Sequence, residues 1–259
     1  QDPVRTEKLM MPFRLFSFLY YTTHAPLKFL NIYLSDIGMT AAQIGVVHAL
    51  AQSLSLMVSP LWGIASDYYG ANKRLLLLSL MGTLFVTLSF SLTESAVFTS
   101  VLLILFFIFQ RPTNPLSDSL LLEYLGNNSG TYGQYRVFGS LGYALAGPIF
   151  GLFLERTGSS NVFVGLAILL GLSILSAVWL PEARNRPKMK KLVDLSSAFR
   201  NPRLLFFLFF GFLIQLTCRF DAQYFPLYVI ANGGRESLLG ISMMLAAVSE
   251  LLILPFSNK

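Results

Sequence analysis

Gly63-Ile64-Ala65-Ser66-Asp67-Tyr68-Tyr69-Gly70-Ala71-Asn72-Lys73-Arg74 is a polar turn set between two long apolar runs, 44–64 and 75–92. Roughly 20 mostly apolar residues suffice to cross the hydrocarbon core of a bilayer as a helix. Outward from this turn the same alternation repeats. Further apolar runs lie at 13–34, 96–122, 135–154, 162–180, 204–230 and 238–256, giving eight expected spans. The turns between them carry helix-stopping residues, such as Asp36-Ile37-Gly38, Gly126-Asn127-Asn128-Ser129-Gly130 and Thr157-Gly158-Ser159-Ser160. Composition agrees: 54% of the 259 residues are hydrophobic and 12% charged, too little charge to cover a water-soluble surface.

The one long connection, 181–203, holds Pro187, Pro202 and seven Lys/Arg against two acids. It is expected to be a basic linker with a short surface helix over 194–200. Arg5, Lys8, Arg14, Lys73, Arg74 and the linker fall on one side of the eight spans, and Arg156 and Arg235 on the other. The positive-inside rule makes the first side cytoplasmic. The net charge of +6 is therefore a matter of topology, and no nucleic-acid partner is expected. Cys218 stands alone inside an apolar run, which excludes a disulfide framework and any cysteine-based metal site.

Laid over itself at an offset of 195, the chain matches Tyr33, Gly38, Gly45, Ala51 and Pro60 to Tyr228, Gly233, Gly240, Ala246 and Pro255. These ungapped matches include glycines and prolines, which carry backbone meaning. Spans 7 and 8 thus repeat spans 1 and 2. Parallel six-helix repeats about a central loop are a transporter architecture, with the solute site between the halves. The expected organisation is an all-α membrane protein: a six-helix bundle over 1–180, a cytoplasmic linker over 181–203, and the start of a second bundle over 204–259. On this logic four more spans follow position 259, for an expected 12.

The quoted turn resembles the signature loop of the major facilitator superfamily: a glycine, three residues, an aspartate, two residues, a glycine, then basic residues. Here these are Gly63, Asp67, Gly70, Lys73 and Arg74, with Tyr68 where the family usually has arginine and the basic pair displaced by two positions. The resemblance implies a conformational gate in which the aspartate pairs with basic groups and helix ends. Pro115-Leu116-Ser117-Asp118 with Tyr135-Arg136-Val137-Phe138-Gly139, the segment Cys218-Arg219-Phe220-Asp221, and Ser249-Glu250-Leu251 resemble the branch containing lactose permease, nucleoside:proton symporters and phenylpropionate permease. That likeness implies substrate contact and proton coupling at Glu250.

Charges deep in a span cost about 2.5–3.5 kcal/mol each and are normally paired or line a cavity. Arg111, Asp118, Arg219, Asp221 and Glu250 are such charges. Polar residues also step at helical spacing: Ser17, Tyr21, His24, Lys28 and Asn31; His48, Gln52, Ser55 and Ser59; Arg111, Asn114 and Asp118; Arg136, Ser140 and Tyr143; Gln215, Arg219 and Gln223. The expected substrate-binding set is Asp118, Arg136, Asn114, Arg111, His24, Gln52 and Glu250, with Asp118 paired to Arg136. The expected coupling set is Glu250, Asp221 and Arg219. No metal and no cofactor is expected, the proton gradient being the energy source.

The expected function is a monomeric secondary transporter of the plasma membrane, bacterial inner membrane by preference, that couples protons to import of a sugar, nucleoside or aromatic acid. The glycine-rich stretch Gly139, Gly142, Gly147-Pro148 and Gly151 resembles the span 5 motif of drug:proton antiporters and keeps an exporter open. A receptor or scaffold is a third class. No nucleophile–base constellation or phosphate loop favours an enzyme. The embedded arginines suit an organic anion, while Asp118 and Glu250 suit hydroxyl-rich solutes; the sequence leaves both open.

Overall fold

The structure, a computed structural model, describes residues 3–69, 72–93, 95–125, 132–181 and 201–253, apart from the side chains of residues 3–10, Asp67, Gln134 and residues 250–253. Among the described residues ten α-helices run in order: α1 (Pro3–Thr22), α2 (His24–Asp36), α3 (Ala41–Tyr69), α4 (Asn72–Ser89), α5 (Ala96–Gln110), α6 (Thr113–Leu125), α7 (Tyr132–Thr157), α8 (Val162–Val178), α9 (Pro202–Ala231) and α10 (Glu236–Ile253). Six helical segments among the described residues are long and apolar enough to cross a membrane. The linker residues 182–200, with the helix expected there, lie outside the described residues. The helix pairs meet alternately on two faces, here called the hairpin side (turns after α2, α4, α7 and α9) and the linker side (turns after α3 and α6, and the 181–201 connection).

Two expected spans are broken. The first divides between α1 and α2 at Thr23, the fourth between α5 and α6 at Arg111-Pro112. Pro26 and Pro115 each fall in the first turn of the second piece, where a missing N–H costs no helical bond. The freed groups find local partners. Thr23 Oγ1 donates to Tyr20 O at 2.6 Å, and Ser79 of α4 donates to Phe109 O at 2.7 Å while accepting from Thr113 at 2.6 Å. The apolar runs 13–34 and 96–122 continue across both breaks, so run length alone does not reveal them.

Lipid as solvent explains the side-chain pattern. In α4 the buried stripe is Leu76, Ser79, Leu80, Thr83 and Thr87, while Leu78, Met81, Phe85 and Leu88 are exposed. Apolar residues occupy both faces, and the small hydroxyl residues mark the inside. Thr83 and Thr87 return their hydroxyls to carbonyls one turn earlier, at 2.8 and 2.7 Å. The core of the first six spans is built on Phe16, Phe29, Leu76, Leu103, Leu120 and Leu170.

The repeat is visible in the backbone. Gly38 and Gly233 both take positive φ, +89° and +80°. The bonds around them correspond one for one. Ile37 N, Gly38 N and Met39 N bond to Tyr33 O, Ser35 O and Leu34 O; Asn232 N, Gly233 N and Gly234 N bond to Tyr228 O, Ile230 O and Val229 O. Each pair differs by 195 in number, so the two helix ends are the same left-handed glycine cap.

Candidate functional site

Span 5, which is α7, packs closely on two neighbours through its glycines. Gly139 and Gly142 leave room for α1: a Cβ at Gly142 would strike Phe18 O, and one at Gly139 the Tyr21 ring. Further along, Gly147 and Gly151 leave room for α10. A Cβ at Gly147 would lie 2.9 Å from Gly240 O, and one at Gly151 would strike Glu236 O. The glycine series is thus small-residue packing on both sides, one contact within the first bundle and one between the halves.

Several direct contacts between the halves lie on or toward the hairpin side. Besides the α7–α10 crossing, Asn31 Nδ2 donates to Gln223 O at 2.7 Å and the Tyr224 hydroxyl packs on Gly45. Arg235 meets Glu155 at 3.3 Å, in a pair open enough to water to add little. Beside the α7–α10 crossing, toward the linker side, lies a cavity of roughly 370 Å³, lined by Tyr21, Arg136, Ser140 and Tyr143 from the first half and by Ala246 and Ala247 of α10. Most of α9 toward its linker end is exposed.

Arg136 is the charged group of this cavity wall. Its guanidinium donates to the Tyr21 hydroxyl and lies 5.0 Å from the Tyr21 ring centroid. His24 stacks on the other side of the cluster, 5.2 Å from Tyr21 with 17° between the rings. Asp118, half-buried in α6, accepts from the Tyr132 hydroxyl at 2.9 Å, and Arg136 lies close enough to both to feel their charge. No direct ion pair between Asp118 and Arg136 forms among the described residues. The expectation of a direct pair is corrected accordingly. Tyr132 escaped the sequence analysis because it lies before the apolar run, although its i, i+4 spacing to Arg136 was available.

Arg111 Nη1 donates to Gln52 Oε1 at 3.0 Å, bringing spans 4 and 2 together. Asn114, half-buried in the first turn of α6, has no hydrogen bond among the described residues. Arg219 and Asp221 are exposed on α9 without a hydrogen bond or ion pair among the described residues, and Lys28 of α2 feels the charge of both. The side chain of Glu250 lies outside the described residues, as do that of Asp67 and the whole of Gly70. No metal-binding cluster of His, Cys, Asp or Glu occurs among the described residues.

In the signature-like turn the described contacts come from Asn72, which the sequence analysis did not single out, and from Lys73, which it did. Asn72 donates to Glu123 at 2.8 Å and to Ser119 at 3.3 Å and accepts from Ser66, joining α3, α4 and α6. Lys73 Nζ donates to Val178 O at 2.7 Å, a cation on the C-terminus of α8 where the helix dipole favours it. Arg74 is exposed, and Gly63 has open space around it.

The model of the MFS_1 like family matches residues 10–259. A maltose permease of Geobacillus stearothermophilus is 30% identical over 92% of this chain and 61% of its own length. The multi-drug resistance efflux pump PmrA of Streptococcus pneumoniae is 26% identical over 85% of this chain and 57% of its own. The chain thus spans about three fifths of the length of these curated relatives. The crystal structure of the nucleoside transporter NupG, D323A mutant, superposes with a TM-score of 0.81 at 18% identity, over 96% of this chain and 67% of that one.

Proposed function

Because this chain belongs to the MFS_1 like family of the major facilitator superfamily of membrane transporters, we propose that it works in a proton-coupled symporter. The symporter imports a small organic solute (a sugar, nucleoside or aromatic acid) by alternating access. The observation that carries this reading is the asymmetry of the two halves: backbone contact at Gly147–Gly240 on the hairpin side, and a cavity bearing Arg136 toward the linker side. A solute site that is closed on one face and approached from the other is one half of such a cycle.

The excess of basic residues supports a cytoplasmic linker side, and on that reading, in a bacterial inner membrane, this conformation faces inward. The permeases of maltose and the nucleoside transporter among its relatives support a hydroxyl-bearing solute. Asp118, Tyr132, Arg136, Tyr21 and His24 form the contact surface, joined by Arg111, Gln52 and Asn114. Glu250, Asp221 and Arg219 are the coupling groups. The gate residues are Gly63, Asp67, Gly70, Lys73 and Arg74, and the unit is a monomer without a cofactor.

Addition of solute to deenergised vesicles tests the proposal: the medium turns alkaline as protons enter with solute, and Glu250→Gln abolishes the change. Absence of alkalinisation across a panel of sugars, nucleosides and aromatic acids contradicts it. A second reading, a proton-coupled exporter, is favoured by the Gly147-Pro148 crossing and the 26% identity to an efflux pump. It predicts uptake into inside-out vesicles driven by a proton gradient.

A further inference from the structure

We propose that Asn31 and His48 are positioning residues that latch the two halves together on the hairpin side, with His48 setting which way the Asn31 amide faces. The proposal rests on the alternating-access reading above.

Both residues are buried, at 3% and 8% exposure. Asn31 of α2 lies seven residues, about two turns, beyond His24 and so between the solute cluster and the hairpin-side contacts. Its Nδ2 is 2.7 Å from Gln223 O of α9, and its Oδ1 is 2.8 Å from His48 Nε2 of α3. A backbone carbonyl only accepts, so the amide nitrogen must face Gln223. That leaves Oδ1 for His48, and His48 Nε2 must then carry a proton. The other ring nitrogen, Nδ1, is buried with no partner among the described residues, so the ring's one paired nitrogen is the one that holds Asn31. Phe107 of α5 lies 5.7 Å from the ring at 61° and braces it.

The line Phe107–His48–Asn31–Gln223 therefore runs from the first bundle into the second. Its last bond must break when the halves part on the hairpin side. The acceptor turn precedes Pro226, whose missing N–H interrupts the ladder of α9 there. If His48 cannot donate, the amide loses its orientation and can present oxygen to oxygen at Gln223.

The test uses the full-length protein in proteoliposomes, with Cys218→Ser removing the native exposed thiol and Leu239→Cys as reporter. Leu239 is 3% exposed and adjoins Gly240 in α10. Maleimide labelling of that thiol reads opening of the hairpin side. Asn31→Leu is expected to speed labelling about fivefold, the weight of one net hydrogen bond. His48→Phe does the same, the double variant no more than either single, and His48→Gln, which keeps an N–H donor, restores the parent rate. Labelling that proceeds but ignores Asn31 and His48, or single effects that simply multiply, overturns the latch and leaves the transport reading standing. A thiol that never reacts in any variant, with or without solute, overturns the latch and the alternating-access reading together.

Discussion

Gly240 of α10 and Gly147 of α7 are packed backbone to backbone, each leaving no room for a Cβ against the other's carbonyl oxygen. This contact closes the hairpin side, and it yields when something larger is put there. Overpacking of a tight contact costs about 1–3 kcal/mol. Gly240→Leu is therefore expected to shift the conformational balance about tenfold or more toward hairpin-side opening, read as thiol reactivity at Leu239→Cys. Gly63→Ala should leave it unchanged, since nothing lies within 4 Å of a Cβ at Gly63. A neutral Gly240→Leu contradicts the assignment of this contact as the closed gate.

The Tyr132 hydroxyl donates to Asp118 at 2.9 Å, beside Arg136. Tyr132→Phe deletes that hydroxyl and leaves the ring. A hydrogen bond to a charged group is worth about 1.5–3 kcal/mol. Solute KM should rise about tenfold with little change in maximal rate, while Asp118→Asn abolishes transport. An unchanged KM in Tyr132→Phe removes the residue from the site.

Arg136 offers both a planar donor to Tyr21 and a face above its ring. Lysine keeps the charge but neither geometry. Arg136→Lys is expected to lose most transport activity, and Tyr21→Phe to lose less than Tyr21→Ala, because the phenyl face keeps the cation–π contact, worth about 0.5–2 kcal/mol. Full activity in Arg136→Lys would mean that charge alone suffices.

Asn72 ties three helices at the linker side through Ser66, Ser119 and Glu123. Asn72→Ala breaks all three contacts, at a cost of about 1–3 kcal/mol. Thermal unfolding in detergent should show a Tm several degrees lower, with Lys73→Ala, which uncaps α8, falling less. An unchanged Tm in Asn72→Ala denies the turn its structural role.

Span positions and the repeat were legible because they depend on backbone and solvent. Lipid demands long apolar runs, and the left-handed cap at Gly38 and Gly233 demands glycine, so both leave marks in one sequence. The breaks at Thr23 and Arg111-Pro112 were not legible from the length of the apolar runs, which continue across both. Two of the polar stripes can be followed in the structure: Arg136, Ser140 and Tyr143 line one cavity, and Arg111 donates to Gln52. Their partners were the harder matter. Helical spacing places groups on a face but says nothing of what a neighbouring helix brings to them. Tyr132 on Asp118, and Gln223 O beneath Asn31, depend on packing across the chain.

The central claim is that the halves swing about the solute site, closed here on the hairpin side. The distance between spin labels at Thr157 and Leu238, the hairpin-side ends of α7 and α10, measures this directly in the full-length protein. The account predicts a short distance without solute and a second, longer population when solute and protons are supplied together. A single unchanged distance under every condition, in protein that transports, would contradict it.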